Sequence, residues 1–220
     1  MIVGAILAGG ASVRMGSDKA FAPLGGRPLV RSVYEALKPL GQIIVVANDA
    51  TNHRATLGQS VRHVRDHYPG AGPLAGIHAA LSALQPGEEC VVAATCDMPF
   101  VFFELVRALG ERVARGDEPH AGVWVDGTGR RQHFPAAFHR RALPAVQARL
   151  VSGDRSMRGL LDELQAATIH IDDVAPSGSM RAQVASFNVN TPEDLVEAER
   201  IAAALAQNEV GDVSPGRADR

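Results

Sequence analysis

The chain has 220 residues, 46% of them apolar and 21% charged, the balance of a globular protein long enough to bury a large core as one α/β domain. A formal net charge of -2 excludes a protein that coats nucleic acid, because that affinity rests on an excess of Lys and Arg. The stretch 71–87, free of Lys, Arg, Asp and Glu, contains Gly72, Pro73, Gly76, His78 and Pro86, so it reads as a loop and core helix, not a membrane span.

In chain order, the apolar run Ile2–Leu7 has no basic region before it and no separate cleavage site after it, and reads as a buried first strand. Residues 42–47, 61–65, 90–94 and 122–125 are further strands, several apolar almost throughout, as strands covered on both faces should be. Helices are predicted over 29–37, 74–84 and 102–115. This alternation predicts an α/β fold with a three-layer, mostly parallel, Rossmann-like sheet. Further on, 133–138 and 168–171 read as strands, and 141–150 and 157–164 as helices. Thr191 fits an N-cap, Pro192 the first turn and Asp194 the third position of a capping box, followed by apolar residues at helical spacing from Leu195 to Leu205. Residues 1–207 form a single domain on this reading, and 208–220, polar with Gly and Pro, a disordered tail. Cys90 and Cys96 lie along one predicted element, form no disulfide framework or metal set, and point to a reduced compartment.

The segment Leu7-Ala8-Gly9-Gly10-Ala11-Ser12-Val13-Arg14-Met15-Gly16-Ser17-Asp18-Lys19 directly follows the first strand. Ligands of open α/β sheets gather there, small residues let backbone amides approach phosphate oxygens, and Arg14 and Lys19 add cationic reach toward a triphosphate. The spacing is neither Gly-x-Gly-x-x-Gly nor a P-loop, since Ala8 precedes the paired glycines and Gly16 and Lys19 are not adjacent. Asp97, where the strand at 90–94 ends before Pro99, is the candidate Mg²⁺ ligand, with a cap on the following helix as the plainer alternative. Asp66 opens a run rich in Gly and Pro, Asp66-His67-Tyr68-Pro69-Gly70-Ala71-Gly72-Pro73-Leu74-Ala75-Gly76, which by itself requires only an unusual turn. Asn188 and Asn190 alternate and share one face if extended.

Leu7-Ala8-Gly9-Gly10 with Arg14-Met15-Gly16 and Lys19 resembles the signature loop of sugar-nucleotide-type nucleotidyltransferases, and more narrowly the molybdenum cofactor guanylyltransferases. The resemblance recurs at Asp97-Met98-Pro99-Phe100, at Gly72-Pro73-Leu74-Ala75-Gly76 and at Phe187-Asn188-Val189-Asn190-Thr191-Pro192, and runs from residue 2 to about 200. It implies the nucleotide-diphospho-sugar transferase type of fold. It also implies a cytoplasmic, Mg²⁺-dependent enzyme that transfers GMP from GTP to the terminal phosphate of molybdenum-molybdopterin and releases pyrophosphate. Arg14, Lys19 and Asp97 would be catalytic, with the metal on Asp97. Leu7, Ala8, Gly9, Gly10, Lys19, Asn48, Asp66, Gly72, Pro73, Leu74, Gly76 and Asp97 would bind the nucleotide. Arg155, Asn188 and Asn190 would bind the acceptor, Arg155 having a solvated surface role as its alternative. Around His133 and Pro135 the chain departs from the family's spacing by one inserted residue, and no role is assigned there. Molybdoenzymes and other cofactor-biosynthesis proteins are the implied partners.

Cytidylyl-transferring relatives typically carry alanine at the position of Gly9, so the Gly9-Gly10 pair and the 72–76 loop favour guanine. A cytidylyltransferase acting on the same pterin, a sugar-1-phosphate nucleotidyltransferase, a non-catalytic nucleotide- or pterin-binding partner protein and a pterin carrier are the competing readings.

Overall fold

A computed structural model describes residues 1–8, 19–49, 51–115 and 119–211. Among the described residues, nine strands and eight α-helices follow one another as β1 (Ile2–Leu7), β2 (Pro23–Leu24), β3 (Arg27–Pro28), α1 (Leu29–Leu37), β4 (Ile43–Val46), α2 (Thr51–Leu57), β5 (Arg62–Val64), α3 (Pro73–Ser82), β6 (Cys90–Thr95), α4 (Phe103–Ala114), β7 (Ala121–Val125), β8 (Arg131–His139), α5 (Leu143–Ser152), α6 (Met157–Glu163), β9 (Ala167–His170), α7 (Met180–Val184) and α8 (Pro192–Gly211).

Seven strands form one sheet in the order β5-β4-β1-β6-β8-β7-β9. β8 runs antiparallel to both of its neighbours and the remaining pairs are parallel, which is the three-layer, mostly parallel sheet expected. The central strands are apolar from end to end because both faces are covered. One face packs Ile6, Val45, Val92 and Trp124 against residues of α1 and α4. The other packs Val3, Ala5, Val46 and Ala93 against α3, α5 and α6. Gly4 is glycine for a steric reason: a Cβ there would stand 2.6 Å from Ile43 Cδ1 and 3.0 Å from Leu37 Cβ, so α1 lies almost on the strand. A third, small core joins α8 to the β2–β3 hairpin through Ala198, Ile201, Leu24 and Leu29. The hairpin turns on Gly25 and Gly26, both at positive φ, and the Gly25 N–H donates to Glu199 Oε1 of α8 at 2.8 Å.

Two differences from the sequence reading have local causes. α2, unexpected because Thr51-Asn52-His53-Arg54-Ala55-Thr56-Leu57 shows no apolar periodicity, is held by burial of His53 and Leu57 alone and starts where Asp49 Oδ1 accepts from Thr51 N at 2.8 Å. α8 continues through Gly211, so residues 208–211 are helical where the tail was expected to begin. Each added residue of a helix already anchored gains a bond at little cost, and the Asn208 amide donates to the Met180 sulfur at 3.5 Å. Among the described residues no helix is long and apolar enough to cross a membrane.

Candidate active site

The parallel register builds a carboxyl edge at the centre of the sheet. Leu7, the last residue of β1, pairs with Val46 of β4 on one side and Thr95 of β6 on the other. Ala8 N donates to Val46 O at 3.0 Å and Cys96 N to Leu7 O at 3.3 Å, so residues 8, 47–48 and 96–97 emerge side by side. Gly9, Gly10 and Arg14 lie outside the described residues.

Lys19, only 8% exposed, begins a short 3₁₀ turn over Lys19–Phe21. Its ammonium donates to Asp97 Oδ2 at 3.0 Å and to Asn190 Oδ1 at 2.9 Å. Asp97 is half-buried and also accepts from Thr95 Oγ1 at 2.5 Å on its other oxygen. It does not cap the next helix, because α4 starts from Phe102 without any side-chain cap. Asp97 is therefore a rim carboxylate whose two oxygens are each oriented by one donor. Charge-assisted contacts of this kind fix geometry better than neutral ones.

The C-terminal segment is docked onto the Asp97 backbone: Val189 N donates to the Asp97 carbonyl oxygen at 2.9 Å, and the Val189 side chain is fully buried. Asn188 and Asn190 flank it, as the alternation predicts, but their amides part. Asn190 reaches Lys19, while the Asn188 amide donates to Ser186 O at 2.7 Å. The expected capping box is present. Asp194 Oδ2 accepts from Thr191 N at 2.9 Å and Asp194 N donates to Thr191 Oγ1 at 3.1 Å, and the same carboxylate also takes Asn190 N at 2.7 Å. The bonds from the Asn190 and Thr191 N–H groups, with Lys19 nearby, hold the Asp194 carboxyl below the usual range.

On the other side of β1, Asp66 Oδ1 accepts from Tyr68 N at 2.7 Å and opens the turn that leads to α3. Gly72, at φ +71°, is the N-cap of α3, and Pro73 fills its first turn; such a φ suits glycine. Leu74 and Gly76 are buried, and a Cβ on Gly76 would meet Leu7 Cδ2 at 3.0 Å, so the 72–76 loop lies against the end of β1. Arg155 donates to Gly70 O at 2.8 Å. The structure thus places its guanidinium on the 66–72 loop. Asn48 lines a cavity of about 460 Å³ beyond β4 and β5.

Sequence reasoning missed Thr95, the positioner of Asp97. The available signal was a hydroxyl residue on the same strand end, two positions before a carboxylate and so on the same side. Among the described residues no group of three or more His, Cys, Asp or Glu side chains is arranged to hold a metal ion.

Residues 4–168 match the MobA-like NTP transferase domain. A molybdenum cofactor guanylyltransferase of Vibrio cholerae is 33% identical over 195 residues, spanning 87% of this chain and 88% of that protein. Another, of Rhodobacter capsulatus, is 35% identical over 200 residues, spanning 90% and 95%. The solved molybdopterin-guanine dinucleotide biosynthesis protein A of Archaeoglobus fulgidus superposes with a TM-score of 0.74 at 26% identity, covering 93% of this chain and all of that one. Sheet order, carboxyl-edge geometry and these likenesses agree: the chain belongs to the MobA-like NTP transferase family, with the nucleotide-diphospho-sugar transferase type of fold.

Proposed function

We propose that this chain transfers GMP from GTP to the terminal phosphate of molybdenum-loaded molybdopterin, releasing pyrophosphate and forming the guanine dinucleotide form of the cofactor. The observation that carries the reading is the double contact of Lys19 with Asp97 and Asn190. One ammonium joins the end of the glycine-rich segment, the rim carboxylate and the C-terminal segment, where nucleotide and acceptor have to meet. The guanylyltransferase names of the relatives supply the substrates.

An oxygen of the acceptor phosphate attacks the α-phosphorus of GTP. The bond from the α-phosphorus to its bridging oxygen breaks, and pyrophosphate leaves with that electron pair. The nucleophile is an anion at neutral pH, so the step needs no general base, and the work falls to positioning and to neutralising charge. Lys19 supplies positive charge where the leaving group gains negative charge, with Arg14 as the second cation. Gly9 and Gly10 offer backbone N–H groups to the phosphates. Asp66, Asn48 and the 72–76 loop select guanine, and Arg155, Asn188 and Asn190 face the acceptor, Arg155 through the loop it braces. Asp97 would hold Mg²⁺ together with phosphate oxygens; when bound, the ion offsets phosphate charge. Both cysteines remain thiols, which suits the reducing cytoplasm, where recipient molybdoenzymes would take over the product.

The test is a nucleotide panel: purified protein, Mg²⁺ and molybdenum-loaded molybdopterin with GTP, CTP, ATP or UTP, following pyrophosphate. Release with GTP alone, lost in Asp97→Ala and without Mg²⁺, is the expected result. Preference for CTP would overturn the choice of base, and absence of release with every nucleotide would overturn transfer itself.

A further inference from the structure

The polar cavity that Asn48 lines, of about 460 Å³, opens between the ends of β4 and β5 and is also lined by Asp49, Thr51, Arg54, His63 and Arg65. Its charge is unbalanced toward the positive. Neither the Arg54 nor the Arg65 guanidinium makes a hydrogen bond or ion pair among the described residues, although Arg65 is near enough to Asp49 to favour its charged form. The one carboxylate in the lining, Asp49, already accepts from Thr51 N at 2.8 Å. His63 is the more telling group. Both of its ring nitrogens are shielded from solvent and neither has a partner, and Nε2 of the neighbouring His53 is in the same condition. A neutral imidazole always carries one N–H, so at least one buried donor on His63 goes unanswered, a cost that folded proteins rarely carry without a purpose.

The cavity shares Asn48 with the nucleotide pocket proposed above, but neither Lys19 nor Asp97 lines it. β5 alternates: Val64 packs with the α3 layer and Arg62 reaches Ala83 O beyond α3, whereas the His63 ring lies on the α2 side, 6.2 Å from that of His53. His53 in turn donates to Asp49 O through Nδ1 at 3.1 Å and packs on Phe21 with ring centroids 4.8 Å apart. Two guanidinium groups with fixed planar donors, an imidazole N–H and a threonine hydroxyl are the donor set for a tetrahedral oxyanion, and they supply what neither a cation nor an apolar ligand would use.

We propose that this cavity is an anion site that takes a phosphate-type oxyanion, free or carried on a small molecule, on Arg54, Arg65 and the His63 ring. Burial, with Arg54 and His53 nearby, holds the His63 imidazole below its usual pKa, so the ring meets the anion as a neutral N–H donor at neutral pH. This inference stands independently of the transfer reaction.

The experiment is calorimetric titration of the full chain, without Mg²⁺, with inorganic phosphate, pyrophosphate and GMP, comparing Arg54→Gln/Arg65→Gln with Lys19→Ala. Saturable binding weakened roughly tenfold or more by the double arginine change, but kept in Lys19→Ala, is the expected result. Binding of inorganic phosphate or pyrophosphate assigns a free oxyanion, and binding of GMP alone assigns a phosphate carried on a nucleotide. Binding lost in Lys19→Ala and kept in the arginine variant would overturn the proposal, because the anion would then sit at the nucleotide loop. Absence of saturable binding of all three probes to the unaltered chain would overturn it as well. Melting temperatures of both variants confirm that each is folded.

Discussion

The two edges of the parallel sheet each carry an ion pair, and the two pairs are built for different ends. At the amino edge, Arg62 Nη2 donates to both Glu88 oxygens, at 2.7 and 2.8 Å, Gln85 N adds a bond at 2.8 Å, and Arg62 also reaches Ala83 O at 3.1 Å. Glu88 is 2% exposed, and every strong donor near it comes from a different part of the chain. At the carboxyl edge, Lys19 meets only one Asp97 oxygen and spends another donor on a neutral amide. At the amino-edge pair both Glu88 oxygens are occupied, and Arg62 Nε, which has no partner among the described residues, is shielded from solvent. The carboxyl-edge pair is made of single contacts that a phosphate or a cation can replace one at a time, which is how a site differs from a staple.

The sharpest way to break this contrast is to remove each pair and ask what is lost. Lys19→Ala and Asp97→Ala should each reduce turnover by about 10²-fold or more, the scale on which removal of one preorganised charge-stabilising group acts, with melting temperature little changed. Lys19→Ala should lower kcat more than it weakens GTP binding, since charge builds on the leaving pyrophosphate. Equal losses in both would count against the leaving-group role.

Glu88→Gln should do the opposite. It leaves Arg62 without its counter-charge, at a cost of about 3 kcal/mol in unfolding free energy, while turnover per folded molecule stays unchanged. The acid limb of stability carries the same signature. Burial works against the charged form, but the bonds from Gln85 N–H and Arg62 prevail and hold the Glu88 carboxyl below its ordinary value of 4.5. With the folded pKa depressed, the contribution is full above pH 4.5 and fades as pH falls through the folded value. Denaturant melts from pH 6 down to 3 should therefore show the difference between Glu88→Gln and the unaltered chain shrinking as the solution becomes acid. A constant difference would assign the loss to packing.

How much of this was legible in the sequence follows the same division. β1 and α1 match their predicted bounds because apolar runs and periodicity are local signals, and the place of Asp97 just past a strand end was legible because a carboxylate before Pro99 is one too. α2 escaped because His53 and Leu57 are buried by tertiary packing that no window of seven polar-looking residues reveals. The contact between Lys19 and Asn190 spans 171 residues and has no local code. Arg155 was grouped with the acceptor asparagines on resemblance, and only the fold shows its guanidinium bracing Gly70.

Asn190 sharpens the comparison from the C-terminal side. Asn190→Ala removes one neutral acceptor from the Lys19 ammonium, and turnover should fall by roughly tenfold, the worth of one hydrogen bond to a charged group. If Asn190 acts through Lys19, the double variant with Lys19→Ala should be no worse than Lys19→Ala alone. Additive losses would instead assign Asn190 to the acceptor directly.

The smallest effect is expected at Thr95, whose hydroxyl meets Asp97 Oδ1 at 2.5 Å. Thr95→Val keeps the β-branched shape that suits the end of β6 and deletes only the donor. Without it the carboxylate is oriented by Lys19 alone, on one oxygen. Turnover at saturating Mg²⁺ should fall by only about threefold, while the Mg²⁺ concentration for half-maximal rate rises, and Thr95→Ser should restore both. Measuring the Mg²⁺ dependence separates this from a packing defect, which would lower the melting temperature and leave that dependence alone. A Thr95→Val enzyme with unaltered Mg²⁺ dependence would mean that Lys19 by itself sets the carboxylate, and Asp97 would then rest on one donor where Glu88 rests on two.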